Sequence, residues 1–196
     1  MRPEHVLGEA VAINILLART PKAAVRVQHI TAFPNGFEFQ VVAHCRIEGE
    51  LWDPMHGLAG FRGRPGMRGG ETADEILRFG IQFSDGSKAT SLGPPMIGPT
   101  DKPQKGPMLM HSGGSSGGSV AEQTFWAWPL PPPGLLAFVC EWPKYGIPLT
   151  RHEIDANLIR EAAKRATELW PDDRPSGGGT SSGYTSISSL EGEPRG

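Results

Sequence analysis

The chain has 196 residues, a formal charge of −2, 38% apolar residues, 26 glycines and 19 prolines. Such a length sustains one well-formed core, and the glycine and proline content points to long irregular segments diluting it. The near-neutral charge excludes a global field that would draw in nucleic acid or an anionic membrane. No run approaches the ~20 apolar residues of a membrane-spanning helix. The first residues, MRPEHVLGEAVAINILLART, carry Glu4, Glu9 and Asn14 around their apolar run and no small-residue cleavage pattern, so they do not read as a signal peptide. A cytoplasmic setting is therefore expected. Cys45 and Cys140 sit on apolar strand faces without CxxC spacing. In a cytosolic chain they read as buried thiols; a disulfide across a sandwich core is the alternative, although the Cys, Trp, Cys spacing of immunoglobulin domains is missing.

In chain order, residues 11–18 alternate Val11, Ile13, Ile15 and Leu17 against smaller or polar residues, and Arg19-Thr20-Pro21-Lys22 turns them into a second run, 24–33. There Val25 and Val27 share a face while Ile30 and Ala32 have switched parity, so a bulge is expected near Gln28 and His29. Pro34-Asn35-Gly36 signals a turn. Residues 37–47 then place Phe37, Phe39, Val41, Ala43, Cys45 and Ile47 on one face, the pattern of a strand with a core side and a water side. After the glycine-rich loop 53–70, strands are expected at 76–83 and 88–92, joined by Asp85-Gly86. Residues 93–123 read as a second long glycine- and proline-rich loop.

Phe125 to Trp142 holds three of the five tryptophans. It reads as strand 124–130, a stiff corner at Pro131–Gly134 and strand 135–142, because consecutive prolines lack the N–H donors of a ladder. Thr150 and Glu153 have capping-box spacing, predicting a helix over 151–169 with Ile154, Leu158, Ala162, Ala166 and Leu169 as its apolar stripe. The tail 172–196 is too polar to offset its ordering entropy and is expected to be disordered. The expected fold is a single mainly-β domain over 1–171, an antiparallel β-sandwich, immunoglobulin-like or similar, with one C-terminal helix.

Few residues suggest chemistry. Gly113 to Ser119, GGSSGGS, is similar to the glycine- and serine-rich motif of amidase-signature hydrolases, where the resemblance would imply a serine working with a lysine and a nucleophilic serine. The second glycine-serine segment of those enzymes is replaced here by PLPPPGLLAFV, and no upstream lysine lies in an apolar strand. The competing reading is a flexible linker. The six histidines show no HxxxH or HExxH spacing; His152 and Asp155 stand three apart on the expected helix, a spacing able to hold a metal but commoner as a solvated pair. No catalytic, cofactor or metal residues are assigned.

The candidate interaction residues are Trp126 and Trp128, as a shelf if exposed, and Arg62, Arg64 and Arg68, whose glycine-rich setting resembles segments that bind RNA without sequence preference. Three arginines give little affinity at physiological salt, so nucleic acid is not the expected partner. The segments ITAFPNGFEF, ILRFGIQFSDGSKATSLG and FWAWPLPPPGLLAFVCEWPKYGIPLTRHEI together resemble an uncharacterised family of small proteins from high-GC Gram-positive bacteria, over roughly Ala10 to Pro171. That resemblance implies a fold and a cytoplasmic setting and no catalytic residues. The functional expectation is a non-enzymatic binding or structural module whose partner is another protein. Its alternative is a small hydrolase whose serine, histidine and acid meet only in space, with His29, His44 or His111 as the base.

Overall fold

The computed structural model describes residues 2–46, 74–92 and 106–171. The loop 53–70, residues 93–105 and the tail 172–196 lie outside the described residues. Strands β1 (Val6–Leu7), β2 (Glu9–Val11), β3 (Ile15–Arg19), β4 (Ala23–Phe33) and β5 (Gly36–Cys45) are followed by β6 (Arg78–Gln82) and β7 (Lys88–Thr90). Then come β8 (Met108–Gly117), β9 (Val120–Trp128), β10 (Leu135–Trp142), β11 (Ile147–Asp155), the helix α1 (Asn157–Arg165) and β12 (Thr167–Glu168).

All pairings are antiparallel. One sheet runs β2-β4-β5-β9-β8, with β3 pairing the other half of β4; the second runs β11-β10-β6-β7. The two face each other across one core, in which Phe39 and Phe125 of the larger sheet meet Phe79 and Phe138 of the smaller with ring centroids 5.3–5.8 Å apart. This is the mainly-β sandwich expected from the alternation. A two-stranded clasp, β1 with β12, joins the two ends of the described chain.

The bulge in β4 lies where the parity switch places it. Register shifts between Gln28 and Thr31, and His29 takes a φ of 52°, the one non-glycine residue with positive φ among the described residues. The extra residue returns Ile30 and Ala32 to the core, and it marks the point where the partner changes from β3 to β2. The Asp85-Gly86 turn also forms: Gly86 has φ 84°, and the Asp85 carboxylate accepts the N–H and hydroxyl of Ser87. Those two bonds hold its carboxyl below the usual range. The proline corner is structural. Ser84 and Arg160 donate to the carbonyls of Pro133 and Pro131, and Ala156 N–H donates to Gly134.

Two expectations fail. Residues 147–155 are a strand, not the start of the helix: β11 pairs along β10, Thr150 Oγ1 donates to the Pro148 carbonyl rather than accepting from a helix N–H, and α1 begins at Asn157 and ends at Arg165 instead of spanning 151–169. The unpaired edge of β10 offers this segment a full ladder of backbone bonds, which outweighs a local capping preference. The buried helix face is accordingly Ile159, Ala162 and Ala163, packed with β4 and β2, while Leu158 of the expected stripe is exposed. His152 and Asp155 now lie on a strand, where residues three apart point to opposite sides, so the possible metal pair dissolves. The second failure is the GGSSGGS segment. Its first five residues form the second half of β8, an edge strand in a hairpin with β9 that turns at Gly118-Ser119, so residues 108–117 of the expected loop 93–123 are a strand.

Candidate functional site

The helix covers part of the larger sheet, but none of the elements above lies across the outer face of the smaller one. Period-two alternation builds that face. Phe79 and Ile81 of β6 point into the core, so Arg78, Gly80 and Gln82 point out; likewise Cys140 of β10 faces in while Val139 and Glu141 face out. Gly80 contributes no side chain, and a Cβ there would lie 2.8 Å from the Ala89 carbonyl, so the strand can carry only glycine without shifting β7. The result is a groove of about 450 Å³ with a floor at Gly80 and Val139. Leu92, which follows β7, and Leu149 of β11 form its two ends, 48% and 72% exposed.

Charged groups rim this apolar floor. Arg78 donates to Glu141 at 2.6 Å and lies 3.6 Å from Asp74. Arg151 donates to Glu153 at 2.8 Å and to the Gln82 side-chain carbonyl at 2.5 Å. Lys88 makes no ion pair among the described residues. The lining thus holds three cations, Arg78, Lys88 and Arg151, against one carboxylate, Glu141. An apolar floor with a few oriented polar groups, in this size range, is the usual make-up of a recognition site.

The residues singled out from the sequence lie elsewhere. Trp126 is 2% exposed, on the outer side of the larger sheet against Phe33, and Trp128 is half-buried. Burial removes Trp126 from any exposed shelf. Arg62, Arg64 and Arg68 lie outside the described residues. His29 bonds Gln40 through Nδ1 at 2.8 Å, beside a shallow concavity between β2, β3 and the bulge. His44 faces Arg26 and Glu122; burial first, then the Arg26 cation, lowers its pKa, with Glu122 opposing. Neither ring hydrogen-bonds a serine among the described residues. Among the described residues no group of three or more His, Cys, Asp or Glu is placed to hold a metal ion, and no helix is long and apolar enough to cross a membrane.

Cys45 and Cys140 are free and buried, one in each sheet, and burial pushes both thiols up to about 12. They are packing groups rather than nucleophiles, since the thiolate is the reactive form. The groove was invisible to a motif search, because its signal is spread over single outward positions in four elements. Only two cues were present: a glycine inside an otherwise bulky strand pattern, and leucine at a position of β11 that alternation assigns to solvent. Comparison with protein-family models, curated proteins and solved structures found no match to this chain.

Proposed function

We propose that this chain is a non-enzymatic β-sandwich module that binds another protein, in a cytoplasmic setting, through the outer face of the β11-β10-β6-β7 sheet. The observation that carries this reading is the groove itself, which no element among the described residues covers, an apolar floor with two exposed leucines inside a charged rim. Buried, unpaired thiols and the lack of a membrane-length helix among the described residues support the setting. Quantitative affinity capture from native lysate, comparing the full chain with Leu149→Asp, tests the reading. Leu149 is exposed, so the variant folds, and it should lose the proteins retained by the parent. Equal capture by both chains would overturn the groove as the binding surface.

A further inference from the structure

We infer that two copies of this chain pair edge to edge through β8, antiparallel about a two-fold axis, joining their larger sheets into one continuous sheet. This surface is separate from the groove, and the inference stands independently of it. β8 ends the larger sheet and pairs with β9 alone among the described residues. It runs for ten residues, MLMHSGGSSG, without Lys, Arg, Asp, Glu or Pro. Such an edge presents a row of backbone donors and acceptors, and of the devices that keep edges from pairing it has only a bulge. The other edges are better guarded. β7 has three residues and carries Lys88, and β11 carries Pro148, Arg151 and Glu153. β2 has three residues, with Glu9 held by Arg165 of the helix at 3.2 Å, and β3 has five and ends in Arg19.

Self-complementarity names a second copy as the occupant. Leu109 packs on the core and His111 on Phe125, so both face inward, while Met108 and Met110, opposite Trp128 and Trp126, face outward. Ser112 is the extra residue of the bulge, since His111 pairs with Phe125 and Gly113 with Thr124. Beyond it Gly114 and Ser116, opposite the buried Gln123 and Ala121, face inward, and Gly113, Ser115 and Gly117 face outward. A two-fold axis level with the Ser112-Gly113 bond engages all ten residues, setting Met108 against the second copy's Gly117, Leu109 against Ser116, Met110 against Ser115 and His111 against Gly114. Residues directly opposite in a sheet share a face. In a regular strand this register would set inward residues against outward ones, but the bulge shifts the parity once and every pair matches. Each Met and Leu then lies over a Gly or Ser of the other copy, and no charged side chain of β8 meets another at the axis. A foreign extended peptide would gain the same backbone bonds without this match of length, face and volume. The two-fold contact also uses up both β8 edges, so it closes at two copies.

The test is sedimentation velocity of the full chain from about 1 to 200 µM, beside Gly113→Lys and Leu149→Asp, with circular dichroism verifying that the variants fold. Gly113 has open space where a Cβ would go, so one copy accommodates the lysine, while two copies bring their lysines together beside the axis. The expected result is a doubling of mass with concentration in the parent and in Leu149→Asp, and a dimer dissociation constant raised about tenfold or more in Gly113→Lys. Amide hydrogen exchange of the parent, read by mass spectrometry, needs no variant: exchange within residues 108–117 should slow as concentration rises through the dimerisation range. A parent that stays monomeric at the highest concentration would overturn the inference. A dimer with unchanged exchange in 108–117, or one that Gly113→Lys leaves intact, would overturn it too, by placing the contact elsewhere. A dimer that Leu149→Asp alone dissociates would assign self-association to the groove and also overturn it.

Discussion

Trp142 and Trp126 are both buried indoles, yet their polar atoms have different fates. Trp142 is fully enclosed, packs on Tyr145 with ring centroids 4.3 Å apart, and donates its Nε1–H to the Glu75 carbonyl at 2.9 Å. Trp126 lies against the edge of Phe33, and its Nε1 has no hydrogen-bond partner among the described residues. A buried donor without an acceptor costs free energy that a satisfied one does not. Trp142→Phe should therefore lower unfolding free energy by roughly 2–4 kcal/mol, from a lost bond, an orphaned carbonyl and a cavity. Trp126→Phe also leaves a gap but removes an unsatisfied donor, so its cost should be smaller by about 1 kcal/mol or more. Urea denaturation of the two variants beside the parent checks this, and equal losses would show that the Trp126 indole gains as much from its N–H as Trp142 does.

Among the elements, the β8–β9 hairpin departs most from what its sequence suggests, and a pair of glycines distinguishes a strand from a tether. Gly118 occupies the first turn position with φ 57°, where an L side chain is strained, while Gly117, its neighbour, has a negative φ and open space where a Cβ would go. Gly118→Ala should cost about 1 kcal/mol, whereas Gly117→Ala should be neutral or slightly stabilising through the unfolded state. Thermal melting of the two variants reads the difference; identical effects would sink the hairpin assignment. The strands legible from sequence were those whose own side chains define a buried face, as in Phe37 to Cys45 or Leu136 to Trp142. Even the bulge at His29 was legible, because it leaves a parity switch among apolar residues. β8 carried no such signal: it is paired through its backbone, and Gly113 to Gly117 bring no apolar side chain to either face. β11 was concealed differently. Residues 150–153 satisfy a helix-start pattern, and only the free edge of β10, supplied from elsewhere in the chain, decides for strand. The groove inherits this limit, since one of its ends, Leu149, lies on that strand.

At the scale of the whole molecule, the two thiols report on whether the sheets separate independently. Cys45 ends β5 in the larger sheet and Cys140 lies within β10 in the smaller, and both side chains face the shared core. With their pKa values pushed up to about 12, roughly one thiol in ten thousand is a thiolate at pH 8, and burial keeps reagent from that fraction. Labelling by a disulfide reagent therefore requires opening. The phenylalanines between the sheets tie them into one packed layer, with Phe39 touching Phe79 and Phe138 across the interface. A core shared in this way resists separation one sheet at a time, because either sheet alone would expose the other's apolar face. Native protein should label negligibly, and across a urea series Cys45→Ala and Cys140→Ala, each reporting the remaining thiol, should become reactive at the same denaturant midpoint once normalised to their own stabilities. Labelling of one cysteine well below the global midpoint would instead show that its sheet opens as a separate unit. The groove face, which belongs wholly to the smaller sheet, would then have a stability of its own, and partner binding would protect Cys140 ahead of Cys45.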